Sequence, residues 1–403
     1  MAGSDTHDRG PVLHAADVDA LIAFRWDLHR HPELSGEEAE TAARIVEMLK
    51  PTAPDRLFTG LGGHGVAAVW EGTEAGPSIL LRADTDALPI EETGAVPHRS
   101  TIPGKAHLCG HDGHTTILVG VARWLARNPP ATGRAILLFQ PAEEDGAGAA
   151  RVIADPRFAA LSPDYALALH NMPGVPLGAA VLAEGVMNCA SRGMKIVLTG
   201  RTAHASQPDT GLSPVPAMSR LMRELTALGR GGSQADPDFS LVTVTHAAIG
   251  APAFGVAPGR AELWVALRTQ RDSGMQALVA AAQTRVADAA RTTGLTAEIT
   301  WHDVFLHCEN APEATRLLAA ALAAEGLPLV PGELPMRASE DFGRYGTHAK
   351  AAMMLLGAGE DCPALHNPDY DFPDALIEIG ARIFTRCLRT HLSPHAPPVP
   401  DGR

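Results

Sequence analysis

Apolar residues in the N-terminal part of the chain alternate between helical and strand spacing. Residues 17–50 have a helical pattern that breaks at Pro32 and then restarts. Four short apolar runs follow, each about the length of a buried strand: GVAAVW (65–70), SILLRA (78–83), RAILLFQ (134–140) and YALALH (165–170). A helical pattern at 115–127 lies between two of these runs. Because strands alternate with helices, this part of the chain predicts an α/β sheet.

The pattern changes near residue 187 and changes back after about residue 305. The middle part predicts four strands, at 194–200, 240–249, 261–269 and 296–304. Helical patterns at 212–229 and 274–292 give the order strand, helix, strand, strand, helix, strand, which is typical of a split-βαβ layout. The α/β style then returns with a helix, a strand and a helix at 311–325, 351–357 and 373–389.

These patterns predict two domains. The first is an α/β domain with a mixed sheet flanked by helices, formed by residues 1–186 and 300–403. The second is an α+β satellite domain of split-βαβ type, inserted at residues 187–299. A length of 403 residues fits two or three domains of ordinary size.

Composition and net charge exclude some classes of binding partner and predict where the protein works. Hydrophobic residues make up 45% of the chain and charged residues 20%, which is typical of globular proteins and excludes disorder or a coiled coil for most of it. A net charge of −13 with scattered basic residues argues against nucleic acid and anionic membranes as partners. No apolar run is long enough for a membrane helix. Five scattered cysteines and an N-terminus without an apolar segment predict a cytoplasmic protein without a secretory signal.

Side chains that can bind a metal ion lie at the ends of several apolar runs. In CGHDGH, Cys109 and His111 are two residues apart, so a thiolate and an imidazole can face one ion. Adjacent acids follow a strand in QPAEE (140–144), where one can bind a metal while its neighbour faces the substrate. His170 ends the run YALALH, and His366 precedes the last helix. Each signal alone more often marks a solvated side chain, but their coincidence favours a metal site.

The chain resembles the M20 metallopeptidases, in particular their amidohydrolase branch of aminoacylases, hippurate hydrolases and indoleacetyl-amino-acid hydrolases. The order and spacing of the matching segments fit the family through almost the whole chain. These segments are DLHRHPELSGEE (27–38), RADTDALPI (82–90), HLCGHDGHT (107–115), FQPAEE (139–144), ALHNMPGVPLG (168–178), GRTAHASQP (200–208), ASEDF (338–342) and LHNPDYDF (365–372).

The resemblance implies a centre of two divalent metal ions, usually zinc, manganese or cobalt. The implied ligands are Cys109, His111, Glu144, His170 and His366. Glu143 is implied as the general base and acid, and Asp86 as the acid that supports the site. The first domain is then the metal-binding catalytic domain. Family members often form dimers through the satellite domain, so we expect a homodimer or a higher homo-oligomer.

Three further residues have both a functional and an ordinary interpretation. His204 is either a loop histidine or a donor that stabilises the oxyanion, from its own chain or from a partner subunit. Arg268 suits a bidentate grip on a substrate carboxylate, but a surface ion pair is the alternative. Glu340 lies near the active cleft in relatives, which implies a substrate-binding role, and a loop acid is the alternative. Gly255 stands where relatives often carry Asn, so a donor to the substrate is expected to be missing.

The sequence therefore predicts a metal-dependent amidohydrolase. It would cleave the amide of an N-acyl-L-amino acid or a similar small conjugate with metal-activated water. A carboxypeptidase or dipeptidase acting on small peptide-like substrates is the nearest alternative. A ligand-binding protein without turnover is an alternative of a different class, against which the intact Glu143 and the five implied ligands argue.

Overall fold

The computed structural model describes residues 12–393 of the chain. The N-terminal segment in which we expect no secretory signal lies mostly outside this part, so that expectation stays a prediction. The α-helices of the described residues are α1 (Ala15–Arg30), α2 (Ala39–Leu49), α3 (His111–Arg127), α4 (Gly148–Ala154), α5 (Val215–Thr226), α6 (Asp272–Thr293), α7 (Pro312–Ala324) and α8 (Ala375–His391). Within residues 12–393, no helix combines the length and apolar character that a membrane span requires.

The strands of the described residues form two large sheets and two short pairs. They are β1 (Arg56–Leu61), β2 (Gly65–Glu71), β3 (Glu74–Asp84), β4 (Thr132–Gln140), β5 (Tyr165–Pro173), β6 (Ala180–Val181), β7 (Gly185–Asn188), β8 (Ala190–Thr199), β9 (Ala203–His204), β10 (Ser240–Ile249), β11 (Val256–Ala257), β12 (Arg260–Thr269), β13 (Thr296–Phe305), β14 (Cys308–Asn310) and β15 (Lys350–Gly359).

The larger sheet is mixed and has seven strands in the order β1-β2-β4-β3-β5-β15-β6. Its four central strands, β4, β3, β5 and β15, are parallel, while the outer pairings are antiparallel. The predicted α/β fold with a mixed sheet flanked by helices is confirmed. Because the central strands are parallel, their carboxyl ends meet at one edge of the sheet, where open α/β sheets bind ligands.

Both faces of this sheet are buried. Alternate residues of each central strand point to opposite faces, so that Leu81 packs in a core with α1, α3 and α8, whereas Leu80 packs in a second core with α4 and the segment at 341–347. Strands buried on both faces need continuous apolar runs, which is why SILLRA and RAILLFQ were recognisable in the sequence.

The smaller sheet has four antiparallel strands in the order β10-β12-β8-β13. Helices α5 and α6 follow β8 and β12 in the chain and pack on this sheet in a third core. The four strands and two helices predicted between residues 194 and 304 are therefore present. Strand β10 is an edge strand, and its last five residues, Thr245–Ile249, are exposed.

Helix α3 begins one turn before the start predicted at Thr115. Gly110 has the left-handed backbone conformation, with φ of +91°, and the helix starts at the next residue, His111. The side chains of this first turn face polar neighbours instead of the apolar core, so the apolar pattern did not reveal it. Strand β1 and helix α4 were also missed, since β1 is a partly exposed edge strand and α4 has only seven residues.

A buried arginine joins α1 to the starts of α3 and α8. Arg25 is 0% exposed and its guanidinium lies 3.0 Å from Asp112, 2.9 Å from Asp371 and 2.5 Å from Asp374. Burial alone would lower the pKa of Arg25, but the three carboxylates hold it above its ordinary value. Asp112 follows the predicted ligand His111, so this cluster fixes the first turn of α3, where that ligand lies.

We predict that Arg25→Met lowers the free energy of unfolding by about 3–5 kcal/mol, because it leaves buried carboxylates without a counter-charge. Arg44→Met is the matched control, since Arg44 pairs at 3.1 Å with an Asp27 that is 47% exposed. This control should cost about 1 kcal/mol or less. Urea unfolding of both variants at fixed metal content measures the difference, and equal losses would contradict the assignment.

Candidate metal centre

The candidate site lies at the carboxyl ends of the parallel strands. Strand β3 ends at Asp84, β4 ends at Gln140 just before the adjacent acids Glu143 and Glu144, and His170 lies near the end of β5. The loop before α3 brings Cys109 to the same edge. The fold therefore explains why these side chains, far apart in the sequence, can share one site.

The structure brings the five predicted ligands together. The Sγ atom of Cys109 lies 3.5 Å from Nε2 of His170. The Oε1 atom of Glu144 lies 3.9 Å from Nε2 of His111 and 3.7 Å from Nε2 of His366. Two sets of donor atoms, one from Cys109, His111 and His170 and the other from Cys109, Glu144 and His366, each lie within 4.8 Å of one another. These donor atoms could hold two neighbouring divalent ions.

The donor atoms fit a divalent metal on chemical grounds as well. Among the described residues, Nε2 of His111 and Oε1 of Glu144 are buried without a hydrogen-bond partner, which is costly unless something else is bound. Burial lowers the pKa of His170 to about 3, so its imidazole is neutral and available as a ligand. A mixed set of sulfur, nitrogen and oxygen donors favours zinc or a similar transition metal over magnesium or calcium.

Two unusual backbone conformations hold the ligands in place. A Cβ atom on Gly110 would lie 2.4 Å from Oδ1 of Asn171, so only glycine fits between Cys109 and His111. His366 has a φ of +66°, and its backbone N–H donates to the carbonyl of Leu108 at 2.8 Å. This bond ties the last predicted ligand to the CGHDGH segment.

Asp86 holds two of the five predicted ligands, His111 and Glu144, in place. Its backbone carbonyl accepts from Nδ1 of His111 at 2.9 Å, which leaves Nε2 of that ring as the free donor atom. Its Oδ2 atom accepts from the backbone N–H of Glu144 at 3.0 Å and from the Ser35 hydroxyl at 2.7 Å. Burial alone would raise the pKa of Asp86, but these bonds and the His111 ring keep it below its ordinary value.

A second aspartate, Asp84, lies beside the histidines of the CGHDGH segment. Its Oδ1 atom lies 2.6 Å from Nδ1 of His114, and its Oδ2 atom lies 3.7 Å from Nε2 of His111. Asp84 in turn accepts from Arg82 at 2.7 Å. Both residues lie in the segment RADTDALPI (82–90) that the sequence singled out, but only Asp86 was given a role there. The signal that could have found them is their place in a buried apolar strand, where charged residues are rare unless they are paired.

Arg82 connects this aspartate to the predicted residue Glu340. Its Nη2 atom lies 3.1 Å from Glu340 and 2.8 Å from Asp341, and its Nε atom donates to Gln140 at 3.0 Å. Glu340 is 2% exposed, so it is not a solvated loop acid. One guanidinium therefore holds acids from two distant parts of the chain beside the site.

Glu143 lies in a strongly acidic environment. It is 6% exposed and lines the same cavity as Glu144 and Glu340. Burial, followed by repulsion from Glu340, Glu144 and Asp341, raises its pKa well above the ordinary value. A carboxyl group with a raised pKa can hold and release a proton near neutral pH.

A cavity of about 330 Å³ lies between the two large sheets and contains these groups. Cys109, Glu143, Glu144, His170 and His366 line one side, and Ser191 and Arg268 of the smaller sheet line the other. The Nη1 atom of Arg268 donates to the Ser339 hydroxyl at 2.9 Å and to the Arg337 carbonyl at 2.6 Å. Arg268 is thus part of the cavity wall and forms no ion pair with any residue of the segment 12–393.

His204 lies away from this cavity. It is exposed, its Nδ1 atom is 2.7 Å from the Ser206 hydroxyl, and it is not among the described residues that line the cavity. His204 pairs with Val256 in the short β9–β11 ladder, and Gly255 precedes that strand. The structure therefore does not bring His204 to the site of its own chain, and its catalytic role stays a prediction.

Comparisons with known proteins agree with this geometry. Residues 80–390 match the model of peptidase family M20/M25/M40. The chain is 34% identical to N-acetyl-L-cysteine deacetylase from Bacillus subtilis (strain 168), over 92% of this chain and 88% of that protein. It is 30% identical to hippurate hydrolase from Campylobacter jejuni, over 92% and 96% of the two chains. A dinuclear metal-binding M20 peptidase from Bacillus subtilis has the same fold, with a TM-score of 0.76, 27% identity and coverage of 93% and 98%.

We predict that Gly110→Ala weakens metal binding about 10- to 100-fold, because the new methyl group displaces Asn171 and with it the neighbouring His170. Gly104→Ala is the matched control, since Gly104 also has a positive φ, of +72°, but nothing lies within 4 Å of its added Cβ. Metal content per chain after dialysis against a graded chelator measures the effect. If both variants retain metal equally, the close approach at Gly110 does not hold the ligands.

Proposed function

The chain belongs to peptidase family M20/M25/M40, and on that premise we propose that it hydrolyses the amide of an N-acyl-L-amino acid or a similar small conjugate. It is a metal-dependent amidohydrolase. The relatives named as N-acetyl-L-cysteine deacetylase and hippurate hydrolase support N-acyl amino acids as the substrate class. The reaction adds one water to the amide and releases a carboxylic acid and an amine.

The single observation that carries this proposal is a cavity in which the candidate metal donors and a buried carboxylate meet. Glu143 lines it beside Cys109, Glu144, His170 and His366. A ligand-binding protein without turnover would have no use for a carboxylate with a raised pKa at that place. The arrangement therefore supports hydrolysis over binding alone.

We propose that two divalent ions bind here. The ligands would be Cys109, His111, Glu144, His170 and His366. When bound, zinc, manganese or cobalt supplies Lewis acidity and lowers the pKa of water at the site. Burial and the nearby Glu144 carboxylate raise the pKa of Cys109 well above its ordinary value, so its thiolate needs a positive charge close by.

Within this site we assign the proton transfers to Glu143. Its carboxylate would take a proton from the attacking water and then deliver it to the leaving amine, which requires a group that can hold a proton in between. Glu340 is 2% exposed and lies among the acids that raise the pKa of Glu143. We propose that Glu340 helps to keep the pKa of Glu143 raised by this repulsion and that it forms part of the wall of the substrate cavity.

Asp86 and Arg268 have positioning and binding roles in the proposal. The hydrogen bonds of Asp86 to His111 and to the backbone of Glu144 support a role in fixing both ligands. Arg268 uses Nη1 for its hydrogen bonds to Arg337 and Ser339, and the side chain lines the cavity. We propose that its remaining N–H groups bind the substrate carboxylate.

We propose that residues 187–299 form a satellite domain of split-βαβ type, and that residues 1–186 and 300–403 form the catalytic domain. The strand order β10-β12-β8-β13 and the two packed helices support the first assignment. Because the cavity lies between the two sheets, a movement of one domain against the other would close it over the substrate.

We also propose that the protein is a homodimer and that it works in the cytoplasm. The exposed edge of β10 supports an interface, as do the side chains of Phe254 and Val256, which are 107% and 49% exposed. His204 pairs with Val256, so a partner that covers this patch would lie beside it. The five cysteines are unpaired, which supports a reducing compartment.

We predict metal-dependent hydrolysis of one or more N-acetyl-, N-benzoyl- or N-indoleacetyl-amino acids. The protein is stripped with a chelator, reloaded with manganese, zinc or cobalt, and assayed on these substrates and on dipeptides. Glu143→Ala should lower kcat by roughly 10²–10⁴-fold, because general acid–base catalysis is lost. Glu313→Ala is the matched control, since Glu313 lies in the first turn of helix α7 and is not among the described residues that line the cavity.

The outcomes separate the alternatives. Turnover that returns with metal and disappears in Glu143→Ala supports the amidohydrolase on N-acyl amino acids. Faster cleavage of dipeptides than of every acylated amino acid would favour the dipeptidase. Ligand binding without turnover, unchanged after removal of metal, would favour the binding protein.

We predict that His204 acts on the site of a partner subunit. A mixture of His204→Ala and Glu143→Ala, each inactive alone, should recover about a quarter of the wild-type activity after subunit exchange, because half of the dimers are then hybrids with one complete site. Mixing at the same concentration without exchange is the control. A stable dimer without recovery would place the action of His204 within its own chain.

A further inference from the structure

A second groove adjoins the cavity of the metal centre. It has a volume of about 600 Å³ and shares two wall residues, Met336 and Leu355, with that cavity. Its other apolar wall residues include Met172, Val175 and Val181. We call this space the side groove. The proposed hydrolysis uses none of these side chains, so the groove needs an explanation of its own.

The strand register shows that the side groove continues from the candidate metal centre. Leu355 of β15 pairs with His170 of β5 on one side and with Val181 of β6 on the other. Paired residues on adjacent strands point to the same face and lie about 5 Å apart. A line from the predicted ligand His170 across Leu355 to Val181 therefore crosses from the cavity into the side groove.

The chemistry of the floor is apolar. Met353 of the cavity and Met172 of the side groove lie two residues from Leu355 and His170 on their strands, so they extend the same face. Val181 and Leu355 are 2% and 4% exposed, respectively. Methionine side chains adapt to flexible chains better than rigid side chains do. Such a floor suits an aliphatic chain and offers no partner to a charged group.

The charged residues of the side groove are held away from the floor. Arg337 donates from Nε to Gln234 at 3.1 Å, and its guanidinium lies 5.7 Å from the Phe239 ring. Glu333 and Arg337 are exposed, so they lie at the solvent-facing opening of the side groove. Met336 is fixed through its backbone, which donates to Met187 at 2.7 Å and accepts from Cys189 at 2.9 Å. Its side chain can therefore move without a change in the fold.

We propose that the side groove binds an extended aliphatic chain that the substrate carries on one side of the scissile amide. This inference rests on the proposed function, because the amide must lie in the metal cavity for the chain to reach across Met336 and Leu355. The groove would make the enzyme selective for long-chain conjugates over N-acetyl-amino acids.

The test compares kcat/KM for N-acetyl-, N-hexanoyl- and N-decanoyl-L-alanine, and for N-acetyl-L-2-aminododecanoic acid, which carries the chain on the other side of the amide. One of the two series should rise by about two- to fourfold per added methylene before it levels off. The series that rises shows whether the acyl chain or the amino-acid side chain occupies the groove. No rise in either series would overturn the proposal.

Variants that fill the side groove with a bulky side chain test the proposal in a second way. Val175→Trp should lower the ratio of long-chain to N-acetyl kcat/KM at least about tenfold, by filling the space the chain would occupy. Leu177→Trp is the matched control, since Leu177 is 52% exposed in the same loop and is not among the described groove residues. Because Val175 is partly buried, Pro331→Trp, at an exposed position of the groove, gives a second block.

The outcomes distinguish this proposal from the proposed function. Hydrolysis of N-acetyl-L-alanine that depends on Glu143 but shows no length preference would leave the function standing and overturn the groove. If no substrate is hydrolysed, calorimetric binding of N-decanoyl-L-alanine and of N-acetyl-L-2-aminododecanoic acid to the metal-loaded protein still tests the groove. Binding of either compound that both block variants lose and Leu177→Trp keeps supports the proposal, whereas equal binding of both compounds by all four proteins overturns it.

Discussion

The guanidinium of Arg82 lies within 3.1 Å of three carboxylates, those of Asp84, Glu340 and Asp341, and its side chain is only 1% exposed. These acids come from the end of β3 and from the segment after residue 339, so one ion-pair cluster fixes two distant parts of the chain against each other. The position of the predicted ligand His111 depends on this cluster, because Asp84 lies next to His111 and contacts its neighbour His114. A lone buried carboxylate at any of these positions would be strongly unfavourable.

Arg82 does not balance the whole charge of the site. Asp86, Glu143 and Glu144 lie beside the same cluster, and burial together with mutual repulsion raises the pKa of Glu144 to about 7 and that of Glu143 above its ordinary value. Bound divalent cations would remove this excess of negative charge and use the donor atoms that have no hydrogen-bond partner. The electrostatics and the ligand geometry therefore point to the same cofactor, and the raised pKa of Glu143 suits its proposed role.

The two sheets contribute different properties to the cavity. The carboxyl ends of the parallel strands, with the loops beside them, supply the candidate metal donors and the carboxylates. The smaller sheet supplies Ser191 and Arg268, and Arg268 reaches across to Ser339. The candidate metal donors and Arg268, the side chain proposed to bind the substrate, thus lie on opposite sides of the cavity. The side groove extends this recognition along β15 and β6, away from the reacting atoms.

The sequence by itself determined the order of the elements and the segments that carry the candidate ligands. Buried strands need continuous apolar runs, and ligand motifs such as CGHDGH are local, so both leave a mark in the sequence. The tertiary structure alone decided the early start of α3, the ion pairs of Arg82 and Asp84, the exposed position of His204 and the groove beside Leu355. The ion pairs of Arg82 with Glu340 and Asp341, the contact of Asp84 with His114 and the walls of the groove join residues far apart in the chain. The spacing of apolar residues carries no information about such contacts.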